Sequence, residues 1–426
     1  TITVPILDNS YGENTENFFV NLSGATNGVT IIDATGEGTI TDTDPPIPNN
    51  VPLSLYREFS GYYDYTTTGG SLRTQPNGTN ACSITTASSN TLLSPIPAGA
   101  TIERAYLQWA HSNFNPDEVV TFEGQSVTAD IIYGSTLTNR QFYGYLSDVT
   151  TLVKSIGNPS TNVYDFTGLN VDAGDPFCST QTVLGGWTLM VFYELPTLPA
   201  VTINLYQGFS GESNSSSSYT LSGFFAIGAT GSKTTVVSWE GDQTLANNER
   251  LSVTSGSGLA ITLSGDGDNN GITTNNPFNS TIYDNTVTPN INITTSHGLD
   301  LDTYNISSVV QPGESSVTTT VQSGQDFVIV NSVLLKVPSN LITGLVFEDV
   351  NYPGGAGRNA TVSAGKPVVG ARVELYDSSG NLNRSTTTDT DGKYVIGGMA
   401  NGTYRARVVN STVKSTRGGG TGCSTC

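Results

Sequence analysis

Short runs of alternating apolar and polar residues, separated by turn-forming clusters, recur along this chain of 426 residues. The clearest runs are Thr101–Trp109, Gly186–Glu194, Ala200–Tyr206, Thr234–Trp239 and Asp326–Val337. A period of two places the apolar side chains on one face of a β-strand. Helical periodicity is weak, and only Leu146–Ile156 is a candidate helix. The pattern therefore predicts an all-β fold of tandem β-sandwich domains.

Proline clusters and changes in composition divide the chain into predicted segments. Consecutive prolines favour extended backbone and cannot join a central strand, so residues 45–52 are predicted to be a linker. Residues 53–338 are predicted to form one large central β-sandwich, and residues 343–410 a second, smaller sandwich. Residues 1–44 are predicted to be part of a domain, and residues 411–426 a Gly-rich tail that contains cysteine.

The charge of the chain limits its partners. Only 12% of residues are charged, yet the formal net charge is −19 and the pI is near 4.3. Nucleic acids and anionic membranes attract basic surfaces, so neither is an expected partner, whereas bound cations are. No apolar run is long enough to span a membrane. These features favour an extracellular location at the cell surface.

Four cysteines occur, and their spacing matches neither a paired zinc motif nor a dense disulfide framework. Cys82 and Cys178 are predicted to form one disulfide in an exported domain, with two buried free thiols as the alternative. Cys423 and Cys426 are predicted to close a small disulfide loop or to belong to an unstructured end.

Acidic turn motifs mark both ends of the segment 343–410, which contains Gly344–Asn351 and Thr388–Tyr394. The segment resembles the B-type repeat of bacterial surface adhesins, a prealbumin-like β-sandwich that serves as a stalk and spacer. The resemblance implies a calcium site, although the Asp-rich loop of the family is replaced by Tyr352–Asn359, and ordinary Asx turns are the alternative. The implied ligands are Asp349, Asn351, Asp389 and Asp391.

The first 44 residues resemble the C-terminal half of a Calx-β domain through Ile6–Ser23 and Gly38–Asp44. Because the early strands of that family are missing, we expect residue 1 not to be the natural start of the domain. Completion would come from upstream residues or from strands of a neighbouring subunit. The calcium ligands that the resemblance implies are Asp8, Glu13, Glu16, Asp42 and Asp44, with solvated turn carboxylates as the alternative.

A third acidic segment, Asp266–Gly271, resembles the first half of an EF-hand loop, with Asp266, Asp268 and Asn270 as candidate ligands. Pro277 occupies the place of the closing glutamate, and no helices flank the segment. We therefore expect a turn that binds a cation loosely.

Enzyme chemistry has little support in the sequence. The chain has two histidines, His111 and His297, in different parts of the central region. The strand-end carboxylates Glu194, Glu240 and Asp242 are expected to be solvated. The chain is therefore predicted not to be an enzyme.

The central region is similar to an uncharacterised β-rich module of bacterial surface proteins, through Leu184–Glu194 and Leu205–Phe209. The prediction is a structural and adhesive segment of a large exported cell-surface protein, stabilised by calcium, whose partners are neighbouring domains or subunits of a surface fibre. One alternative is a lectin-like module that binds surface glycans. The aromatic residues proposed for stacking on sugars are Tyr62, Tyr63, Tyr65 and Trp109. A second alternative is a self-assembling filament formed by strand donation.

Overall fold

A computed structural model describes residues 12, 16–24, 31–32, 34–41, 44–243, 248–263, 276–350 and 356–415. The predicted all-β fold is confirmed. Within these ranges the two α-helices, α1 (Asn77–Asn80) and α2 (Thr150–Ser155), are each shorter than two turns. The candidate helix over Leu146–Ile156 is therefore only partly correct, because residues 146–148 pair as a strand.

The strands are numbered in chain order. The first region contains β1 (Glu16–Asn21) and β2 (Thr35–Ile40). The central region begins with β3 (Val51–Gly61), β4 (Tyr63–Ser71), β5 (Ala87–Thr91), β6 (Thr101–Ser112), β7 (Val119–Phe122), β8 (Gln125–Thr128), β9 (Ile131–Leu137), β10 (Arg140–Asp148), β11 (Val163–Thr167) and β12 (Gly185–Glu194). It continues with β13 (Val201–Ser213), β14 (Ser216–Ser222), β15 (Lys233–Trp239), β16 (Glu249–Ser255), β17 (Ala260–Leu263), β18 (Ile282–Asp284), β19 (Ile291–Ile293), β20 (Leu299–Asn305), β21 (Ser316–Ser323) and β22 (Phe327–Pro338).

The last region contains β23 (Leu341–Leu345), β24 (Phe347–Glu348), β25 (Lys366–Pro367), β26 (Arg372–Tyr376), β27 (Leu382–Thr387), β28 (Lys393–Gly397) and β29 (Arg405–Val408). A 3₁₀ turn at Asn410–Thr412 follows. Three small sheets form this region, with strand orders β23-β28, β24-β25 and β27-β26-β29.

The central region consists of four sheets. Sheet I has the order β5-β11-β7-β8, sheet II β4-β12-β6-β10-β9, sheet III β19-β18-β20-β15-β22-β13-β3, and sheet IV β14-β21-β16-β17. All the strand pairs are antiparallel except the parallel pair β18–β20. Strand β3 begins at Val51 and includes Pro52, two residues that the sequence assigned to the linker. Proline is tolerated there because β3 is an edge strand.

Three hydrophobic cores separate the four sheets, so the central region is a four-layer stack. Trp109 and Trp187 of sheet II pack with Phe122 of sheet I in the first core. Phe192 of sheet II and Trp239 of sheet III belong to the second core. The third core lies between sheets III and IV. Sheets II and III are therefore buried on both faces, so the region predicted as one large central β-sandwich contains four stacked sheets.

Strand β12 shows why the layers stack in this way. Its side chains alternate between two cores, with Trp187, Leu189 and Val191 facing sheet I and Met190 and Phe192 facing sheet III. A sheet buried on both faces needs apolar side chains on both, which explains the nearly continuous apolar sequence of this strand. Burial of each large apolar side chain stabilises the fold by about 1.5–3 kcal/mol.

The last region contacts the edge of sheet III at β3. The Arg384 guanidinium lies 2.7 Å from Glu58 Oε1 and donates a hydrogen bond to the carbonyl oxygen of Gly223 at 2.5 Å. Gly397 lies so close to Ser60 that a Cβ atom would come within 2.2 Å of its hydroxyl oxygen. A cleft of about 290 Å³ remains between the two regions, lined by Arg57 and other polar residues.

Candidate functional site

Five carboxylates meet at one end of sheet III, and we call them the acidic cluster. Their residues are 1–7% exposed and are Glu240, Asp242, Glu249, Asp300 and Asp326. The fold brings them together because β15 pairs with both β20 and β22. Two of the residues follow the end of β15, one lies in β20, one precedes β22, and one begins β16 of sheet IV.

Backbone amides hold two members of the acidic cluster in place. Asp326 accepts hydrogen bonds from the backbone N–H of Asp242 at 3.0 Å and of Phe327 at 2.7 Å. Asp300 Oδ1 accepts one from the backbone N–H of Thr281 at 3.1 Å. The side-chain amide of Asn77 donates to Asp242 Oδ1. These bonds fix the directions in which the carboxylates point.

Among the described residues, four buried oxygens of the acidic cluster have no hydrogen-bond partner. They are both carboxylate oxygens of Glu249, Oδ2 of Asp300 and Oε1 of Glu240. Burial raises the pKa of Glu249 to about 10 and that of Asp326 to about 8, and repulsion by neighbouring carboxylates adds to both shifts. Because a buried charge without a partner is costly, the raised pKa favours the protonated, neutral form of Glu249 at pH 7.

One arginine lies beside part of the acidic cluster. Arg73 is 3% exposed and its guanidinium donates to Asn77 Oδ1, while its Nε and Nη1 atoms have no partner in the described part of the chain. Burial lowers the pKa of Arg73, and attraction by Glu240 and Asp242 opposes that shift. The strongest charge effects on Glu249, by contrast, are repulsions from other carboxylates.

Sequence reasoning found only two members of this cluster and described them wrongly. Glu240 and Asp242 were expected to be solvated at strand ends, but both are buried, because the loops after β15 are covered by the segment around Phe278. Glu249, Asp300 and Asp326 were missed. One signal was available for Asp300. It stands between Leu299 and Leu301, in a strand that is buried at six of its seven positions.

The predicted calcium ligands of the last region are engaged with protein groups. Asp349 forms a two-pronged ion pair with Arg358, with distances of 2.5 and 3.0 Å. Asp389 Oδ1 accepts backbone N–H groups of Asp391 and Lys393 at 2.9 and 2.8 Å, which is an Asx turn. Asp391 lies 3.2 Å from the Lys393 ammonium. Asn351 lies outside the described residues.

The other predicted ligands give no assembled site. Glu16 opens β1 opposite Ile40, and Asp44 lies near the start of the proline-rich segment. Several predicted ligands lie outside the described residues: Asp8, Glu13, Asp42, Asp266, Asp268 and Asn270. In the part of the chain that the structure describes, no three Asp, Glu, His or Cys side chains are already arranged around a common metal position.

Cys82 and Cys178 are joined by a disulfide, with their Cα atoms 5.2 Å apart. This is the pairing that the sequence predicted. The link ties the loop after α1 to the segment before β12 across 96 positions of sequence. Cys423 and Cys426 lie outside the described residues.

Both histidines are placed by structural contacts. His111 Nδ1 lies 2.6 Å from the carbonyl oxygen of Asn170, and its Nε2 lies 3.0 Å from the Tyr145 hydroxyl. Burial lowers the pKa of His111 to about 4, so its ring is neutral at pH 7. Burial and the nearby Arg73 charge lower the pKa of His297.

The aromatic stacking site proposed for sugars does not form as predicted. Tyr65 is 1% exposed and Trp109 is fully buried, because both belong to the cores that separate the sheets. Tyr62 is 39% exposed, and Tyr63 is partly covered. Neither described helix has the length and apolar character needed to cross a membrane.

Comparisons with known proteins concern parts of the chain. Residues 360–420 match the family model of the carboxypeptidase regulatory-like domain, which overlaps the last region. Serine-aspartate repeat-containing protein D of Staphylococcus aureus is 32% identical over 116 residues, which cover 27% of this chain and 8% of that protein. Serine-aspartate repeat-containing protein F of Staphylococcus epidermidis is 33% identical over 87 residues, which cover 20% of this chain and 5% of that protein. The match therefore spans only a small part of each relative.

Proposed function

We propose that this chain is a structural and adhesive segment of a large exported bacterial cell-surface protein. The observation that carries the proposal is the similarity to serine-aspartate repeat-containing proteins, together with the adhesin-like motifs of residues 343–410. The disulfide between Cys82 and Cys178 supports export, because disulfides persist in oxidising compartments. The low content of charged residues and the polar surface agree with the same location.

The contacts between the central stack and the last region support a spacer role. Strand β22 ends at Pro338 and β23 begins at Leu341, so little chain separates the two bodies. Asn340 donates hydrogen bonds to Met399 and Asn401, and Arg384 binds Glu58 across the junction. A short connection with several polar contacts restricts bending, which is the property that a stalk requires.

Surface staining tests the proposed location. Antibodies against the whole chain should label intact, unpermeabilised cells of the source bacterium. A cytoplasmic protein serves as the control and should be labelled only after permeabilisation. If the chain is also labelled only after permeabilisation, the proposed function is wrong.

The first region suggests a second candidate function, a filament completed by strand addition. Within the described residues, β1 and β2 pair only with each other. Phe19 is 61% exposed and Leu22 48% exposed on this hairpin, and an isolated hairpin is marginally stable in water. A strand from a second copy would cover an edge of this kind. Sedimentation of residues 1–426 and of residues 45–426 tests it, because only the longer chain should polymerise.

Calcium binding by the terminal regions is a separate part of the proposal. The Asx turn at Asp389 presents carboxylate oxygens at the surface, although Asp349 is already paired with Arg358. The unfolding temperature of the chain should be higher in millimolar calcium than in EDTA. In the double variant Asp389→Asn with Asp391→Asn, the part of this increase that comes from the last region should be lost. Equal responses of wild type and this variant would remove calcium from the last region.

A further inference from the structure

Strand β14 is an open edge of sheet IV. It pairs with β21 on one side and, within the described residues, has no strand on its other side. Its seven residues include no charged residue and no proline, and its register with β21 runs without a bulge. Proteins usually block a free edge with such features, because an open edge can pair with another strand. The β9 edge of sheet II, for comparison, is blocked, since Gly134 forms backbone hydrogen bonds with Pro48 and Asn50.

The free backbone groups of β14 belong to particular residues. Successive residues of an antiparallel strand turn their N–H and C=O groups alternately toward and away from the neighbouring strand. Ser215, which precedes β14, accepts a backbone hydrogen bond from Ser323 at 3.1 Å and therefore faces β21. The alternation then turns the backbone groups of Ser216, Ser218 and Thr220 away from β21. Three backbone units of β14 are thus available to a further strand.

Sheet III extends beyond this edge and leaves apolar surface uncovered. The Ser222 N–H of β14 donates to the Tyr206 hydroxyl of β13 at 3.4 Å, so β14 lies over β13. In the next strand, β3, Leu55 pairs with Tyr206, and opposite residues of an antiparallel pair share a face. Leu53 of the same face belongs to the third core, whereas Leu55 is 48% exposed. One more strand beside β14 would cover Leu55.

The first region contains a strand with a matching free edge. Within the described residues, β1 pairs only with β2. The Leu22 N–H, just after β1, donates to the Ala34 carbonyl oxygen at 2.7 Å and therefore faces β2. The same alternation turns the backbone groups of Asn17, Phe19 and Asn21 away from β2. Strand β1 thus presents three free backbone units at every second residue, as β14 does.

The side chains of β1 fit the same pairing. Phe18 and Val20 lie on one face of the hairpin and are only half-buried. If Phe19 stands opposite Ser218 in an antiparallel pair, all three free units of each strand meet. Phe18 then stands opposite Tyr219, which belongs to the third core. The apolar face of β1 would therefore extend the third core towards the uncovered part of β3.

We propose that the open edge of β14 binds β1 of a second copy of this chain, as an added antiparallel strand with Phe19 opposite Ser218. The inference rests on the strand-addition filament proposed above and assigns an acceptor site to it. The donor is a second copy because Pro48 and Asn50 hold the segment before β3 against β9 of sheet II. The first region of the same copy therefore joins the stack at sheet II, two layers away from sheet IV. One donor strand and one acceptor edge per copy give a contact that repeats without closing.

Replacement of Ser218 by proline tests the acceptor edge in the full chain. Proline removes the outward N–H and is tolerated on an edge strand where that N–H faces solvent, so the stack should stay folded. We expect wild type to form polymers that sediment rapidly, and Ser218→Pro to lose them at the same protein concentration. Ser218→Ala keeps the N–H and should polymerise like wild type. Thermal unfolding checks that both variants are folded.

Paired cysteines test the register. Phe19→Cys and Ser218→Cys are made in separate full-length chains, each with Cys423 and Cys426 replaced by serine, and the chains are mixed under oxidising conditions. Hydrogen-bonded antiparallel residues have Cα atoms about 5.5 Å apart, which a disulfide spans. We expect mass spectrometry of a non-reduced digest to find positions 19 and 218 joined. Ala260→Cys, on the opposite edge strand of sheet IV, is the control and should not be joined to position 19.

The outcomes separate the acceptor site from the filament itself. Polymers that persist in Ser218→Pro, or a mixture in which positions 19 and 218 are not joined, would leave the filament in place and refute β14 as its acceptor. A wild-type chain that stays monomeric would refute both. If Ser218→Pro does not fold, the cysteine pair decides alone, and its link supports the site while its absence refutes it. None of these results depends on where the protein is located in the cell.

Discussion

Replacement of Asp64 by Asn should strongly destabilise the junction of the two inner sheets. Asp64 lies in β4 of sheet II, and its two oxygens lie 2.9 Å from the Lys233 ammonium and 2.6 Å from the Lys336 ammonium. Both lysines belong to sheet III, and their side chains are only 13% and 9% exposed. Asp64→Asn keeps the size of the side chain but leaves two buried cations without a counter-charge.

The size of the stability loss in Asp64→Asn depends on the contacts that the two lysines keep. Lys233 would keep its hydrogen bond to the Tyr65 carbonyl oxygen at 3.0 Å and its position 4.1 Å from the Tyr65 ring centre. Among its described contacts, Lys336 has no comparable substitute for Asp64. Removing one partner of a buried ion pair costs about 3–5 kcal/mol, so we expect a loss of about 3 kcal/mol or more in the free energy of unfolding near pH 7.

The pH dependence gives the loss a distinctive sign. Burial lowers the pKa of Lys336 below its usual 10.5, and Asp64 opposes that shift. Without Asp64 this pKa falls further, so the folded variant releases a proton that the unfolded chain keeps until about pH 10.5. The free energy of unfolding of the variant therefore rises as the pH increases from the lowered pKa of Lys336 towards 10.5. Over this range, the difference in stability between the variant and wild type becomes smaller. In wild type, burial raises the pKa of Asp64, but the two lysines outweigh burial and lower it below 3.8. The ion pairs of Asp64 therefore add their full stability above pH 3.8. This stability is lost as the pH falls through the pKa of the folded state.

Denaturant unfolding followed by tryptophan fluorescence measures this loss, because Trp239 is buried in the second core. Wild type, Asp64→Asn and Asp165→Asn are compared near pH 7 and near pH 9.5. Asp165 lies at an exposed position of β11, and its replacement should change stability by less than about 0.5 kcal/mol. A cost below about 1 kcal/mol for Asp64→Asn, or a deficit that grows with pH, would refute the assignment of a buried ion triad.

Two further predictions concern links over longer distances. Replacement of Cys82 and Cys178 by serine should lower the free energy of unfolding by up to about 4.7 kcal/mol, the chain-entropy value for a loop of roughly 100 residues. Mass spectrometry of a non-reduced digest checks the link first, and recovery of both as free thiols from oxidised protein would contradict it. Arg384→Ala removes the contacts to Glu58 and the Gly223 carbonyl, so X-ray scattering should show a broader range of domain orientations. An unchanged scattering profile would mean that other contacts set the orientation.

The strand content was predictable because it depends on local alternation. Strand β16 follows the expected pattern, with Leu251 and Val253 in the third core and the less buried Ser252 and Thr254 alternating with them. The disulfide was also accessible, since two isolated cysteines in an exported domain have few alternatives. Such features follow from the identity of nearby residues and need no knowledge of how distant strands pair.

The stacking of four sheets was not predictable from alternation alone. A strand with one face in water carries polar residues at every second position, whereas a strand between two cores is mostly apolar. Short polar residues such as serine and threonine occur in both kinds of strand, so they do not distinguish them. Strand β22 is buried at all twelve positions although it contains Asn331, Ser332 and Lys336. The sequence therefore predicted a large central β-sandwich but not the number of its layers.

Because sheets II and III are buried on both faces, each of their buried polar side chains needs a hydrogen-bond or charge partner. Asn331 satisfies this requirement by accepting from the Trp239 indole at 2.9 Å and donating to the Gly208 carbonyl oxygen at 2.8 Å. Lys336 satisfies it through Asp64. Not every polar residue meets this requirement: among the described residues, both side-chain amide atoms of Gln207 and several oxygens of the acidic cluster have no hydrogen-bond partner. Burial raises the pKa of Glu249 to about 10, so this carboxyl is protonated at pH 7 and avoids the cost of a buried charge. The two buried carboxyls differ in their partners: Asp64 keeps its charge because Lys233 and Lys336 pair with it, whereas the charges that act most strongly on Glu249 are those of other carboxylates.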